Sequence, residues 1–108
     1  VAAKSFEDLR VYQHAEELAD LVWDIVLTWT LLAKDTVGKQ IIRSADGIGT
    51  NIAEGHGRGS LNETPHWLRR AFCRKLLSDG QIQKLKGIVD NLGPQLNAYL
   101  KSIGLPKT

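Results

Sequence analysis

Apolar side chains recur along this chain with the spacing of helices, not strands. Val11, Ala15, Leu18, Val22, Ile25, Trp29 and Leu32 follow one another at alternating steps of four and three. That is the seam of a helix packing against other helices. Ser5-Phe6-Glu7-Asp8 ahead of it has the form of a capping box. Leu21, Trp23, Val26 and Leu27 lie off the seam and are apolar too. One bundle core needs one stripe. The second is therefore either a subunit interface, with Leu21, Trp23 and Leu27 as contacts, or the edge of a wide core-facing stripe.

Lys34-Asp35-Thr36 interrupts the pattern, and Asp35 or Thr36 is a good N-cap. Val37, Ile41, Ala45, Ile48 and Ile52 then mark a second helix. Its interior holds Gly38, Gly47 and Gly49. Each costs about 1 kcal/mol against alanine, which close approach of a neighbouring helix would offset. Gly55 suits the left-handed position just past its end. For a short third helix through Trp67, Leu68, Ala71, Phe72 and Leu76, two starts compete. Ser60 with Glu63 makes a capping box, while Thr64 makes an N-cap with Pro65 at the first helical position. Ser78-Asp79-Gly80-Gln81 signals another turn and cap. The fourth helix carries Ile82, Leu85, Val89, Leu92, Leu96, Tyr99 and Ile103, with a kink expected at Gly93-Pro94 and a stop at Gly104 and Pro106. No stretch alternates with period two. The pattern predicts an all-α, antiparallel up-down four-helix bundle, with a shortened third helix and a kinked fourth.

Composition narrows the function. At 108 residues and 43% hydrophobic content, one globular domain spanning 1–108 is expected. No apolar run approaches the roughly 20 residues that cross a bilayer. Glu7 and Asp8 precede any apolar stretch, unlike a signal peptide. The single cysteine, Cys73, excludes an internal disulfide and a multi-cysteine zinc site. A cytoplasmic protein is the expectation.

The loop "GHGRG" at 55–59 invites a phosphate-binding reading. A Walker-type loop needs a Lys-Ser/Thr pair opening a helix after a strand, and a dinucleotide fingerprint also needs the strand. Here the glycines follow a helix, and Ser60 follows Gly59 without a lysine. The preferred reading is a glycine C-cap and a tight reversal, with an anion on the next helix's amides beside Arg58 as the minor alternative. His14, His56 and His66 make no i, i+4 pair with another ligand. Cys73 has cationic neighbours but no partnered base, so it reads as a buried or incidental thiol. Neither a metal, a cofactor nor a catalytic residue is expected, and the chain reads as a non-enzyme. Asn51 and Glu54 read as a buried polar network, and Arg43 with Asp46 as an intrahelical pair.

Charge is uneven although the formal net charge is only +2. Residues 1–57 carry five Lys/Arg against nine Asp/Glu, and residues 58–108 carry nine against three. The basic half offers Arg69, Arg70, Arg74 and Lys75, with Arg58 from the loop, as candidate phosphate contacts. It can equally pair with the acidic half of another copy.

The opening "FEDLRVYQHAEELA" and the run "GKQIIRSADGIGTNIAEGHGRGS" resemble the four-helix-bundle family of 23S rRNA intervening-sequence proteins. The motif positions are Gln40, Ile41, Arg43, Asn51, Ile52, Ala53, Glu54, Gly55, Gly57 and Arg58. "KLKGIVDNLGPQLNAYLKSIG" near the C-terminus resembles a subgroup of the same family. The chain departs from the family pattern in a shorter third helix and in Gly47, where a serine is usual. The family is similar in fold to the accessory protein of diversity-generating retroelements, a basic bundle that works with RNA and a reverse transcriptase. The resemblance implies a homo-oligomer, a ring of five, whose interface would use the second apolar stripe. It also implies RNA or a nucleic-acid-processing protein as partner. A scaffold with no nucleic-acid role is the alternative.

Overall fold

The computed structural model describes residues 9–104. Helix α1 spans Arg10–Val26. A rod of three pieces follows: α2 (Leu31–Ala33), a π-helical turn (Lys34–Gly38) and α3 (Lys39–Glu54). Then come α4 (Gly59–Cys73) and α5 (Asp79–Ser102). The described residues thus form four helical rods. The capping box expected at Ser5 to Asp8 and the stop at Pro106 lie outside them.

Each rod packs on the next, and α5 returns to α1. Extents of 45 × 22 × 22 Å correspond to a square cross-section two helix diameters wide, each about 10–12 Å. Tyr12 at the start of α1 meets Gly49 late in α3, and His14 is hydrogen bonded to Gln95 late in α5 at 2.8 Å. Those contacts fix the antiparallel up-down order. Leu18, Ile41, Ile48, Ile52, Leu85, Leu92, Leu96 and Leu100 are fully buried at the centre. Each such side chain contributes about 1.5–3 kcal/mol through burial.

The first turn falls earlier than the apolar spacing suggests. The helix stops at Val26. Thr28 donates its hydroxyl to the Ile25 carbonyl at 2.6 Å, and Thr30 is the next N-cap, accepting from the Ala33 amide at 3.4 Å. Trp29 stays buried in this turn, whereas Leu32 is left in solvent. Val26, expected off the seam, belongs to the core. Lys34-Asp35-Thr36 does not begin a helix but lies in the π-helical turn. The wider turn keeps Ala33 and Val37 on the same buried side as Ile41.

The interior glycines of this rod all meet neighbours. A Cβ on Gly38 would lie 2.9 Å from Val26 Cγ1, and one on Gly49 would lie 3.3 Å from the Tyr12 ring. One on Gly47 would run into the Ser60 hydroxyl. Gly55 ends α3 at φ +70°. Its N–H donates to the Ile52 carbonyl and the His56 N–H to that of Asn51, at 3.2 and 2.8 Å, the pairing that satisfies the last carbonyls of a helix.

Neither expected start for α4 is correct. The helix begins at Gly59, because the Arg58 carbonyl already accepts the Asn62 N–H at 2.9 Å. Ser60 is therefore within the first turn, pressed against α3. Thr64 is fully buried, donating to the Ser60 carbonyl at 2.8 Å with Ser44 Oγ 3.3 Å away. Pro65 sits inside the helix, where it removes one backbone donor. With 15 residues against 24 in α5, this is the short rod. Ser78 and Gln81 form the expected capping box for α5, which continues past Gly93 and Pro94 to Ser102. Leu100 joins the core although the apolar spacing did not single it out, while Ile103 is exposed.

Candidate nucleic-acid interface

Four cations of the basic half stand on α4 or just past its end. From Thr64 to Ser78 the chain carries Arg69, Arg70, Arg74 and Lys75 and no carboxylate. Leu68 and Ala71 turn inward and are buried, which forces the interleaved arginines outward. Arg69, Arg74 and Lys75 are exposed and Arg70 is half-buried. Among the described residues, none of the four lies within ion-pairing distance of a carboxylate. Adjacent in sequence, Arg69 and Arg70 part company in space. Arg69 borders the seam with α5, while Arg70 and Arg74, four apart, share the flank nearer Trp67.

Lys75 holds an unusual position. Its φ of 62° is left-handed, and its N–H donates to the Phe72 carbonyl while that of Leu76 donates to Ala71, both at 2.9 Å. It closes α4 as Gly55 closes α3. Its backbone is fixed and its side chain leaves the end of the rod.

Arg58 is placed differently from the other candidates. Its Nε donates to Asn62 Oδ1 at 2.9 Å and its Nη1 to Asn97 Oδ1 at 2.5 Å. The guanidinium thus ties the loop to both α4 and α5. Of the other family positions, Asn51 donates to Ser60 Oγ at 3.2 Å, linking α3 to α4. Glu54 is exposed, its carboxylate 3.4 Å from His56 Nδ1, and so is not part of a buried network. Gln40 and Arg43 are exposed, and no ion pair joins Arg43 to Asp46 among the described residues. Asp46 instead borders a groove with α1. Burial first, and then the Asp20 carboxylate, raise its pKa above the ordinary value. Gly57 has open space around it.

The second apolar stripe divides. Leu21 packs at the core edge, but Trp23 and Leu27 are each 52% exposed. Leu31 and Leu32, just beyond the same turn, are 74% and 76% exposed. Trp23, Leu27 and Ile42 line a shallow hollow of about 350 Å³ bordered by Lys34, Lys39 and Arg43.

His14 bonds Gln95, His56 lies by Glu54, and the His66 ring stands edge-on to Trp67 at 4.7 Å. The three are apart, each engaged locally. Cys73 is exposed on the outside of α4. Sequence reasoning missed Asn97, the partner of Arg58, and Lys86, which comes to the α4–α5 seam beside Arg69. Only the pairing of α4 with α5 brings them in, so no local signal marks them.

Fold and surface define an up-down four-helix bundle with one basic, carboxylate-poor rod and an apolar patch at one turn. Residues 7–98 match the family described as 23S rRNA-intervening sequence protein, and the chain belongs to that family. No curated protein matches it. Among the described residues, no helix is long and apolar enough to cross a membrane.

Proposed function

We propose that this protein is a non-enzymatic bundle of the cytoplasm that assembles with copies of itself and holds RNA along the outer face of α4. The observation that carries the reading is the run of four cations between Thr64 and Ser78, turned outward and free of carboxylate partners. Such a face binds the phosphate backbone, so its affinity is salt-dependent and indifferent to sequence. The exposed Trp23 and Leu27, with Leu31 and Leu32 beside them, support self-assembly, and the family resemblance makes a ring of five copies the assembly of choice.

A scaffold without RNA is the second reading. It is favoured by the exposed Glu16, Glu17, Asp20 and Asp24 on α1, which could pair with a neighbour's arginines. One variant separates the two. Arg69→Ala with Arg70→Ala weakens binding to every RNA tested if α4 holds phosphates, and leaves the assembled mass unchanged. In a scaffold the same variant loosens the assembly, read by light scattering, and wild type binds no RNA even at low ionic strength.

A further inference from the structure

Of the neighbouring rods, α4 and α5 are the least closely packed. The space between them is an open trough of about 300 Å³, whose floor is Pro65, Leu68, Phe72, Ile82 and Val89. Phe72 leaves 41% of its surface in solvent there. Arg69 and Lys86 stand at the rim with a single carboxylate, Asp90. Toward the α3–α4 loop a second hollow shares Pro65, Val89 and Asp90 with it and reaches Arg58 and Gly93, where the Arg58 guanidinium lies 3.9 Å from the position a Gly93 Cβ would take.

The occupant must therefore suit an apolar, aromatic floor and a rim richer in cations than in anions. A volume near the lower end of small-ligand clefts, roughly 300–1,000 Å³, suits a flat ring rather than a whole helix. A chain of phosphates carrying flat aromatic rings has both properties once its bases are unpaired. In a duplex the rings are stacked inside and present no face. Base stacking on an exposed aromatic beside basic side chains is the common mode of single-strand binding.

We propose that this trough receives an unpaired base of a single RNA strand, stacked on Phe72, with Arg69 and Lys86 on the flanking phosphates. The proposal rests on the reading of α4 as a backbone contact and adds to it the strandedness of the RNA.

The test is fluorescence anisotropy with three probes: labelled oligouridylate, the same strand annealed to oligoadenylate, and an abasic ribose-phosphate strand of equal length. Wild type binds the single strand roughly tenfold more tightly than the abasic strand, the order expected of one stacked base. Phe72→Leu keeps apolar volume in the trough but removes the π face. It brings the single strand down to the abasic level while abasic affinity and its salt slope stay as in wild type. Phe72→Trp, which restores a π face, restores the preference, so a merely structural loss is told apart. Equal, salt-dependent affinity for all three probes in wild type overturns the trough proposal and leaves the backbone reading standing. Salt-dependent binding of none overturns both. A change in assembled mass on Phe72→Leu, with RNA affinity untouched, assigns the trough to a second copy and also overturns the proposal.

Discussion

Arg58 reaches across the α4–α5 seam to Asn97, its Nη1 donating to Oδ1 at 2.5 Å while its Nε holds Asn62 at 2.9 Å. A residue that reads in sequence as a loop cation for phosphate also ties the α3–α4 loop to the last helix. Hydrogen bonds from a charged donor contribute about 1.5–3 kcal/mol when buried and less at a part-exposed site. Arg58→Ala is expected to cost about 1–2 kcal/mol in urea unfolding. Asn97→Ala should cost a similar amount, and the double variant less than the two together, because the sites share one interaction. Additive losses would show that the two side chains act independently.

Gly47 lies under Ser60, and a Cβ there would also come within 3.1 Å of Ser60 Cβ. Rotating the serine away does not relieve that contact and breaks the bond from Asn51. Helix propensity alone favours leucine over glycine by roughly 1 kcal/mol. Overpacking of the α3–α4 crossing outweighs it, so Gly47→Leu is expected to destabilise the fold by several kcal/mol. A variant more resistant to urea than wild type would contradict the packing described.

Lys75 occupies a left-handed position, φ 62°, that costs an L-residue about 1–2 kcal/mol. Glycine avoids that strain but loses more chain entropy on folding, about 0.5–1 kcal/mol. Lys75→Gly is therefore expected to raise stability by about 0.5–1 kcal/mol while removing one outward cation. Any fall in its RNA affinity is then a lost contact and not a lost fold. Thermal melts and binding isotherms on the same preparation check both halves.

Asp46 has a folded pKa above its ordinary value, through burial and the Asp20 charge. A carboxyl raised in this way binds its proton more tightly in the folded state. Its ionised form therefore weakens the fold at neutral pH, and that penalty fades as pH falls through the raised folded pKa and is gone below the unfolded value near 3.9. Asp46→Asn should melt higher than wild type at pH 7, with the gap closing by about pH 3. A gap independent of pH would mean that the carboxylate's charge is not the cause.

What could be read from sequence was local. Ser78 and Gln81 cap α5 through side chains three residues apart, and Val37, Ile41, Ala45, Ile48 and Ile52 are buried as their spacing requires. Gly55 takes the conformation its place after α3 implies. Errors arose where distant parts of the chain decide. Trp29 kept the apolar rhythm of α1 after the helix had ended, because the turn folds it back into the core. Thr64 has the chemistry of a cap, yet its contact with Ser44 on α3 buries it within α4. Arg58 reads in sequence as a phosphate contact from the loop, and its bond to Asn97, 39 residues away, is visible only in the fold. Arg69 and Arg70 are adjacent in sequence, but Arg69 borders the seam with α5 while Arg70 lies on another flank of α4.

The most direct measurement is the affinity of wild-type protein for three RNA strands of unrelated sequence across a range of salt concentrations. If Arg69, Arg70, Arg74 and Lys75 each neutralise one phosphate, log affinity falls against log salt with a slope near −3, about −0.7 per contact on a single strand. The three lines should be parallel and close together, since phosphates carry no sequence information. A flat line, no binding at low ionic strength, or lines that separate by sequence would contradict an RNA-backbone interface on α4.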